Sequence, residues 1–259
     1  MADLAEYVQQ DQPVGVPPLE LTGERTLPDV PAENYWYRRH LAVYEWIAAR
    51  VCGQRVIDLA CGEGYGSAVL ARNAASVVGV DANPGAFEHA RLRYTAPRVT
   101  FARELIETFS APADAVVYLQ TIEHVQAPGA ILKHCRELVA GGFAPAVYVS
   151  TPNLLTLAGP GAEKSENPWH VKEYRAQEFR ELCAAHFGCV ELYGLFHARK
   201  LAVHAFALER LRWDDVHGRL GITKSFYDRF TPAISASDFA LRTDRDLDGA
   251  LDFLAVCRP

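Results

Sequence analysis

Two carboxylates bracket a glycine-rich stretch in this chain. Asp58 stands inside the apolar run Val56-Ile57-Asp58-Leu59, Gly62, Gly64 and Gly66 follow, and Asp81 ends a second apolar run, Val77-Val78-Gly79-Val80. Glycines carry no Cβ and tolerate positive φ, so a backbone built from them can turn sharply and approach a ligand closely. An acid at the end of the next strand is where nucleoside-binding α/β folds hold a ribose diol. The spacing departs from the G-x-G-x-x-G of dinucleotide sites. Asp58, four residues before the first glycine, suits a ligand carrying an ammonium group better than one carrying a pyrophosphate.

A second set of residues could do chemistry on such a ligand. Gln120-Thr121-Ile122-Glu123-His124-Val125 follows the apolar run Val116-Val117-Tyr118-Leu119, and Asn167-Pro168-Trp169-His170-Val171-Lys172-Glu173-Tyr174 follows the loop after the run Ala146-Val147-Tyr148-Val149. Both segments come after strands whose carboxyl ends form the ligand edge of an open α/β sheet. Glu123, His124, His170 and Glu173 are therefore expected to converge on one pocket. Imidazole is the usual base near neutral pH. Histidines with carboxylates could alternatively hold a Mg2+-like ion that lowers an acceptor's pKa, or serve structure alone.

The elements that must position these residues alternate along the chain. The pattern predicts strands over 55–59, 76–81, 98–102, 114–119 and 145–150, with helices over 65–73, 84–93 and 127–139 between them. Such alternation gives a mainly parallel sheet with helices on both faces. A helix over 175–186, a strand over 189–195 and a last strand over 251–257 complete seven strands. Residues 1–30, rich in proline, glycine and acids, read as an extended arm. Over 32–51 the spacing of Tyr35, Trp36, Leu41, Val43, Tyr44, Trp46 and Ile47 predicts one or two helices closing over the turn. Residues 156–168 read as a loop around Gly159-Pro160-Gly161. The 197–250 interval is far longer than a hairpin needs and reads either as a cap over the pocket or as packing helices.

Composition narrows the classes. The 259 residues can bury a sizeable core, and the net charge of −6 gives no pull toward nucleic acid or an anionic membrane. The six cysteines show no C-x-x-C spacing, which reads as reduced thiols in a cytoplasmic protein with no zinc site. Met1 to Gln12 holds acids and no apolar core, unlike a signal peptide or membrane anchor. No stretch approaches the ~20 apolar residues that span a bilayer.

S-adenosylmethionine carries an α-ammonium and a sulfonium and no phosphate, and Asp58-x-x-Cys61-Gly62-x-Gly64-x-Gly66 resembles motif I of the class I methyltransferases that use it. Further segments carry the resemblance: Gly23-Glu24-Arg25, Arg39-His40, Ile122-Glu123-His124, Ser150-Thr151-Pro152-Asn153 and Asn167 to Glu173. The stretches Leu21 to Thr26 and Glu33-Asn34-Tyr35-Trp36 are especially similar to actinobacterial methyltransferases of polymethylated polysaccharides. The resemblance implies a Rossmann-like α/β fold with an antiparallel last strand. It also implies methyl transfer to a hydroxyl of a saccharide or glycosylated metabolite, with an aromatic or polyketide-type small molecule as the rival acceptor and a binding protein without catalysis as the rival class. It places the cofactor against Asp58, Ala60, Gly62, Gly64, Asp81, Ala82, Leu105 and Gln120. Leu105 stands where family members usually carry Asp or Asn for the adenine amino group, and Glu104 beside it is the available substitute. Arg38 is either a partner for the methionine carboxylate or a surface cation beside core aromatics. His124 or His170 would be the base, with Glu123 beside them.

Overall fold

The computed structural model describes residues 7–22, 25–158 and 161–259. Met1 to Glu6, Gly23-Glu24 of the G-E-R segment and Gly159-Pro160 of the predicted loop lie outside the described residues.

One eight-stranded sheet organises the chain. Its strands are β1 Arg55–Leu59, β2 Ser76–Val80, β3 Val99–Ala102, β4 Ala115–Leu119, β5 Ala146–Pro152, β6 Cys189–His197, β7 Phe239–Arg242 and β8 Asp252–Arg258. They lie in the order β3-β2-β1-β4-β5-β8-β6-β7. The first five pair in parallel, with Asp58 opposite Gly79 of β2 and Val117 of β4. β8 runs antiparallel between β5 and β6, and β7 runs antiparallel on the edge of β6. β4 and β5 are buried along their whole length, as strands covered on both faces must be.

The helices are α1 Asn34–Ala48, α2 Tyr65–Leu70, α3 Pro84–Arg93, α4 Pro128–Leu138, α5 Leu154–Leu157, α6 Ala176–Ala184, α7 Arg199–Leu211, α8 Trp213–Arg219 and α9 Thr223–Ala233. Local chemistry sets their starts: Pro84 and Pro128 occupy first-turn positions, and the Asn83 side chain accepts from the Ala86 amide at 3.0 Å. α1, α2 and Val56, Val117 and Tyr148 share one apolar cluster, while Ile57, Val116 and Val149 join α4 and α6 in a second on the other face. Among the described residues no helix is long and apolar enough to cross a membrane.

The 32–51 stretch is one α-helix preceded by a short 3-10 turn, Pro31–Glu33, within the one or two helices expected. Two features differ from the sequence expectation. Leu154–Leu157 forms a helical turn that runs two residues into the loop expected over 156–168. The 197–250 interval holds α7 to α9 and an additional strand, β7, too short at four residues and too weakly alternating to stand out in the sequence.

Candidate active site

The parallel order reverses between β1 and β4, and ligands of open α/β sheets bind outside the strand ends at that switch point. A cavity of about 650 Å³ opens there. Ala60, Cys61 and Gly62 after β1, Asp81 after β2, Gln120 and Thr121 after β4, and Ser150 and Pro152 of β5 line it, with Asp252 entering from the antiparallel β8.

Backbone strain marks the two strand ends that meet at the switch. Ala60 and Gln120 take φ of 55° and 50°, a left-handed conformation that costs a residue with a Cβ and persists where surroundings enforce it. The Gln120 amide is held by the Ser150 carbonyl and hydroxyl at 3.1 Å each. In the turn, Gly64 takes φ of 96°, and a Cβ there would lie 2.8 Å from the Ala90 Cβ, so only glycine lets the turn seat on α3. Asp81 accepts from the amides of Gly62 and Asn83, both at 2.8 Å, and thereby fixes the turn while facing the cavity.

The opposite end of the cavity holds the acid and histidine set. The carbonyl of Glu123 accepts the amides of Val171 and Lys172 at 2.8 and 3.1 Å, which pins the 167–174 segment against the 3-10 turn Ile122–His124. The rings of His124 and His170 meet edge to face with centroids 4.9 Å apart. Nδ1 of His124 donates to the Trp169 carbonyl at 3.0 Å, which puts the lone pair on Nε2. His170 donates from Nδ1 to Glu173 at 2.6 Å and accepts at Nε2 from the Asn167 amide at 3.0 Å. Its lone pair is already engaged. Burial opposes ionisation of Glu173, but hydrogen bonds from Ser165 and His170 outweigh it and hold the carboxyl below its usual range.

Glu123 behaves in the opposite way. Its side chain is buried, takes one hydrogen bond from the Thr151 hydroxyl at 3.2 Å, and is pushed up by desolvation to about 8. The neutral acid is therefore the form present at pH 7. Because the folded pKa lies above the unfolded one, the associated stability is complete below about pH 4.5 and is lost as pH rises through about 8. Glu123→Gln, which copies the protonated shape, is expected to gain on the order of a few kcal/mol relative to the wild type between about pH 5 and about pH 9. Chemical denaturation of both proteins at the two pH values checks this; parallel pH profiles would show that Glu123 is ionised in the fold.

Of the residues singled out in the sequence, Ala60, Gly62, Asp81, Gln120, Glu123, His124 and His170 line the cavity. Five do not. Asp58 is fully buried beneath the turn, where Ser67 and Tyr44 hydroxyls donate to it at 2.7 and 3.2 Å, and burial pushes its carboxyl up to about 7. It organises the wall through Tyr44, which does line the cavity. Gly64 faces α3, as above. Ala82 is exposed beyond Asp81. Leu105 lies 58% exposed in the loop after β3. Arg38 points along α1, donating to Asn34 at 3.0 Å and lying 5.0 Å over Tyr37. One helical residue further round, Arg39 turns inward instead.

Several lining residues were not singled out by sequence reasoning as functional. Arg25 and Thr26 come from the arm, and Thr26 bonds Tyr65 and His40 at 3.0 and 3.1 Å. Desolvation pushes His40 down to about 4, so its ring is neutral. Arg39 and Asp252 form a buried pair at 2.5 Å within the wall. Trp36 and Trp169 stand at the rim, 39% and 51% exposed. The quoted G-E-R and R-H segments were the available signal for Arg25 and His40. An acid opening the apolar last strand was the signal for Asp252.

Comparison with known proteins agrees with this geometry. A methyltransferase-domain family model matches residues 56–142, the span from β1 through α4. The chain is 36% identical over 250 residues to a "probable S-adenosylmethionine-dependent methyltransferase" of Mycobacterium tuberculosis, covering 92% of this chain and 89% of that protein. Over 131 residues it is 34% identical to a ubiquinone biosynthesis O-methyltransferase of Xylella fastidiosa, covering 46% of this chain and 52% of that protein. The solved DhpI–SAH complex superposes with a TM-score of 0.53 at 17% identity, covering 87% of this chain and 86% of that one. A parallel sheet with its glycine turn at the switch point, and a near-full-length relationship to methyltransferases, are one and the same result: the chain belongs to the class I S-adenosylmethionine-dependent methyltransferases.

Proposed function

We propose that the chain is an O-methyltransferase of a small molecule, with S-adenosylmethionine lying along the Ala60 to Gly62 turn and the acceptor hydroxyl beside His124. The observation that carries this reading is the single cavity running from Asp81 to the His124 and His170 pair. Cofactor and base thus meet in one space. The sulfonium supplies the leaving group, so the protein's part is alignment and removal of the hydroxyl proton. We assign the base to His124, because its Nδ1 hydrogen bond to the Trp169 carbonyl fixes the ring at the acceptor end of the cavity. Relatives that methylate oxygen, such as the Xylella protein, support the reaction type.

On the cofactor side, Asp81 receives the ribose diol. Arg25 takes the role considered for Arg38 and meets the methionine carboxylate, since it lines the cavity and Arg38 does not. Asp81→Ala is expected to weaken S-adenosylhomocysteine binding by about 1–3 kcal/mol, the scale for losing hydrogen bonds to a charged group. An unchanged affinity by titration calorimetry would remove Asp81 from the ribose.

A metal has been considered for the acid and histidine set. One ligand atom from each of Glu123, His124 and His170 lies within 4.8 Å of the others. Two imidazole nitrogens beside a single carboxylate suit an imidazole-binding transition metal better than Mg2+, which takes oxygen ligands in octahedral geometry. No catalytic step is assigned to it.

Within this reading a saccharide acceptor has one observation of its own. Trp36 and Trp169 stand at the rim while Glu33 offers a carboxylate, a mixture that suits the apolar faces and hydroxyls of a sugar ring. A phenolic acceptor needs the indoles and not the acid. Turnover with methyl-labelled cofactor on matched panels of sugars and phenols separates the two. Label in phenols alone would assign the aromatic acceptor.

A further inference from the structure

The Glu63 side chain points away from the acceptor end of the cavity into a buried polar knot that the mechanism does not use. Both Glu63 and His89 are 1% exposed. Glu63 Oε1 accepts from His89 Nε2 at 2.9 Å and from Gln9 at 3.1 Å, and pairs with the Arg93 guanidinium at 3.1 Å. Oε2 accepts from the Tyr94 hydroxyl at 2.7 Å and the Tyr65 amide at 3.1 Å. The other His89 nitrogen faces the Pro17 carbonyl at 2.8 Å. Both ring nitrogens thus meet acceptor oxygens.

Two of these partners belong to the amino-terminal arm. Gln9 also accepts the Leu19 amide at 3.1 Å, and Arg93 reaches on to Gln12 at 2.9 Å and Asp29 at 2.5 Å. Four hydrogen-bond donors and one guanidinium on one buried carboxylate fix the residue between Gly62 and Gly64, while Asp81 fixes Gly62 from the cavity side. A surface arm needs no such knot merely to lie on the fold, because unpaired buried charge is costly and apolar contact serves as well.

We infer that this knot is a latch through which the arm positions the cofactor turn, with Glu63 and His89 as positioning residues and Gln9 and Pro17 as the arm's contribution. Arm docking and S-adenosylmethionine binding are then coupled, and by linkage each strengthens the other by the same factor. The inference rests on the cofactor lying along the turn.

Gln9, Pro17 and Leu19 do not line the cavity, so effects there report coupling rather than contact. In the full chain, Gln9→Ala and His89→Ala are expected to weaken S-adenosylhomocysteine binding about 5- to 50-fold. The acceptor KM, and kcat at saturating cofactor, should stay at wild-type values. In the wild type, S-adenosylhomocysteine should slow hydrogen exchange at the Gln10 and Leu19 amides by a similar factor, a measurement that stands even where a variant fails to fold. Cofactor affinity within about twofold of wild type in both variants, or exchange at those amides indifferent to S-adenosylhomocysteine, overturns the latch while leaving the cofactor site intact. Absence of S-adenosylhomocysteine binding to the wild type removes the cofactor placement and the latch with it.

Discussion

Replacing His124 by alanine is expected to lower turnover by about 10²–10⁴-fold, the span typical of a lost general base. S-adenosylhomocysteine affinity should stay within about twofold of wild type, because the ring is placed at the acceptor end of the cavity. His170→Ala should be milder and of another kind. It removes the ring packed against His124 and leaves Glu173 without one of its hydrogen bonds, so the base loses its orientation rather than its proton acceptor. Steady-state kinetics with each variant, alongside calorimetry with S-adenosylhomocysteine, distinguish the two. A His170 variant that loses more turnover than the His124 variant would exchange the roles. Glu123→Gln supplies the control: a neutral acid tolerates the amide, whereas an obligatory carboxylate ligand would not.

Arg39→Ala is expected to cost about 3–5 kcal/mol of stability, the penalty for leaving one member of a buried ion pair alone. Arg39 donates to the two Asp252 oxygens at 2.6 and 2.5 Å and to the Leu251 carbonyl at 2.7 Å, and both side chains are almost wholly buried. Burial opposes the guanidinium charge, yet the Asp252 carboxylate more than restores it, leaving Arg39 above its ordinary value. Alanine would strand Asp252 at the cavity wall and detach α1 from β8. At about 2–4 °C per kcal/mol for a chain of this size, the melting temperature should fall by roughly 10 °C. Arg39→Met combined with Asp252→Leu should recover most of that loss, since apolar groups of similar volume replace buried pairs with little penalty. A thermal melt of the single variant within about 2 °C of wild type would show that the pair contributes little.

The parts of this molecule that a sequence displays are those where local chemistry and global fold agree. Apolar runs over 55–59, 115–119 and 146–150 cannot be anything but covered strands, and the glycines at 62 and 64 serve a turn that only glycine closes. Asp81 and the Glu123 to His124 segment were readable for the same reason: their places after strands fix their edge of the sheet. Orientation was not readable. Asp58 alternates onto the helix-covered face beneath the turn, and the one-residue phase of α1 decides that Arg39 rather than Arg38 turns inward. Asp252 and Gln9 lie 213 and 54 positions from the groups they bond, and no local pattern announces a partner so distant. β7 stayed hidden because four residues on a sheet edge carry too little period to detect.

The central claim is that one cavity holds donor and hydroxyl acceptor, with His124 between them. Single-turnover transfer of labelled methyl from S-adenosylmethionine to the panel of sugars and phenols, run side by side with wild type and His124→Ala, tests it most directly. Label is expected on oxygen of at least one acceptor, with a chemical step slowed about 10²–10⁴-fold in the variant and cofactor occupancy unchanged. Label appearing at the same rate in both proteins, or on nitrogen or carbon in place of oxygen, would contradict it.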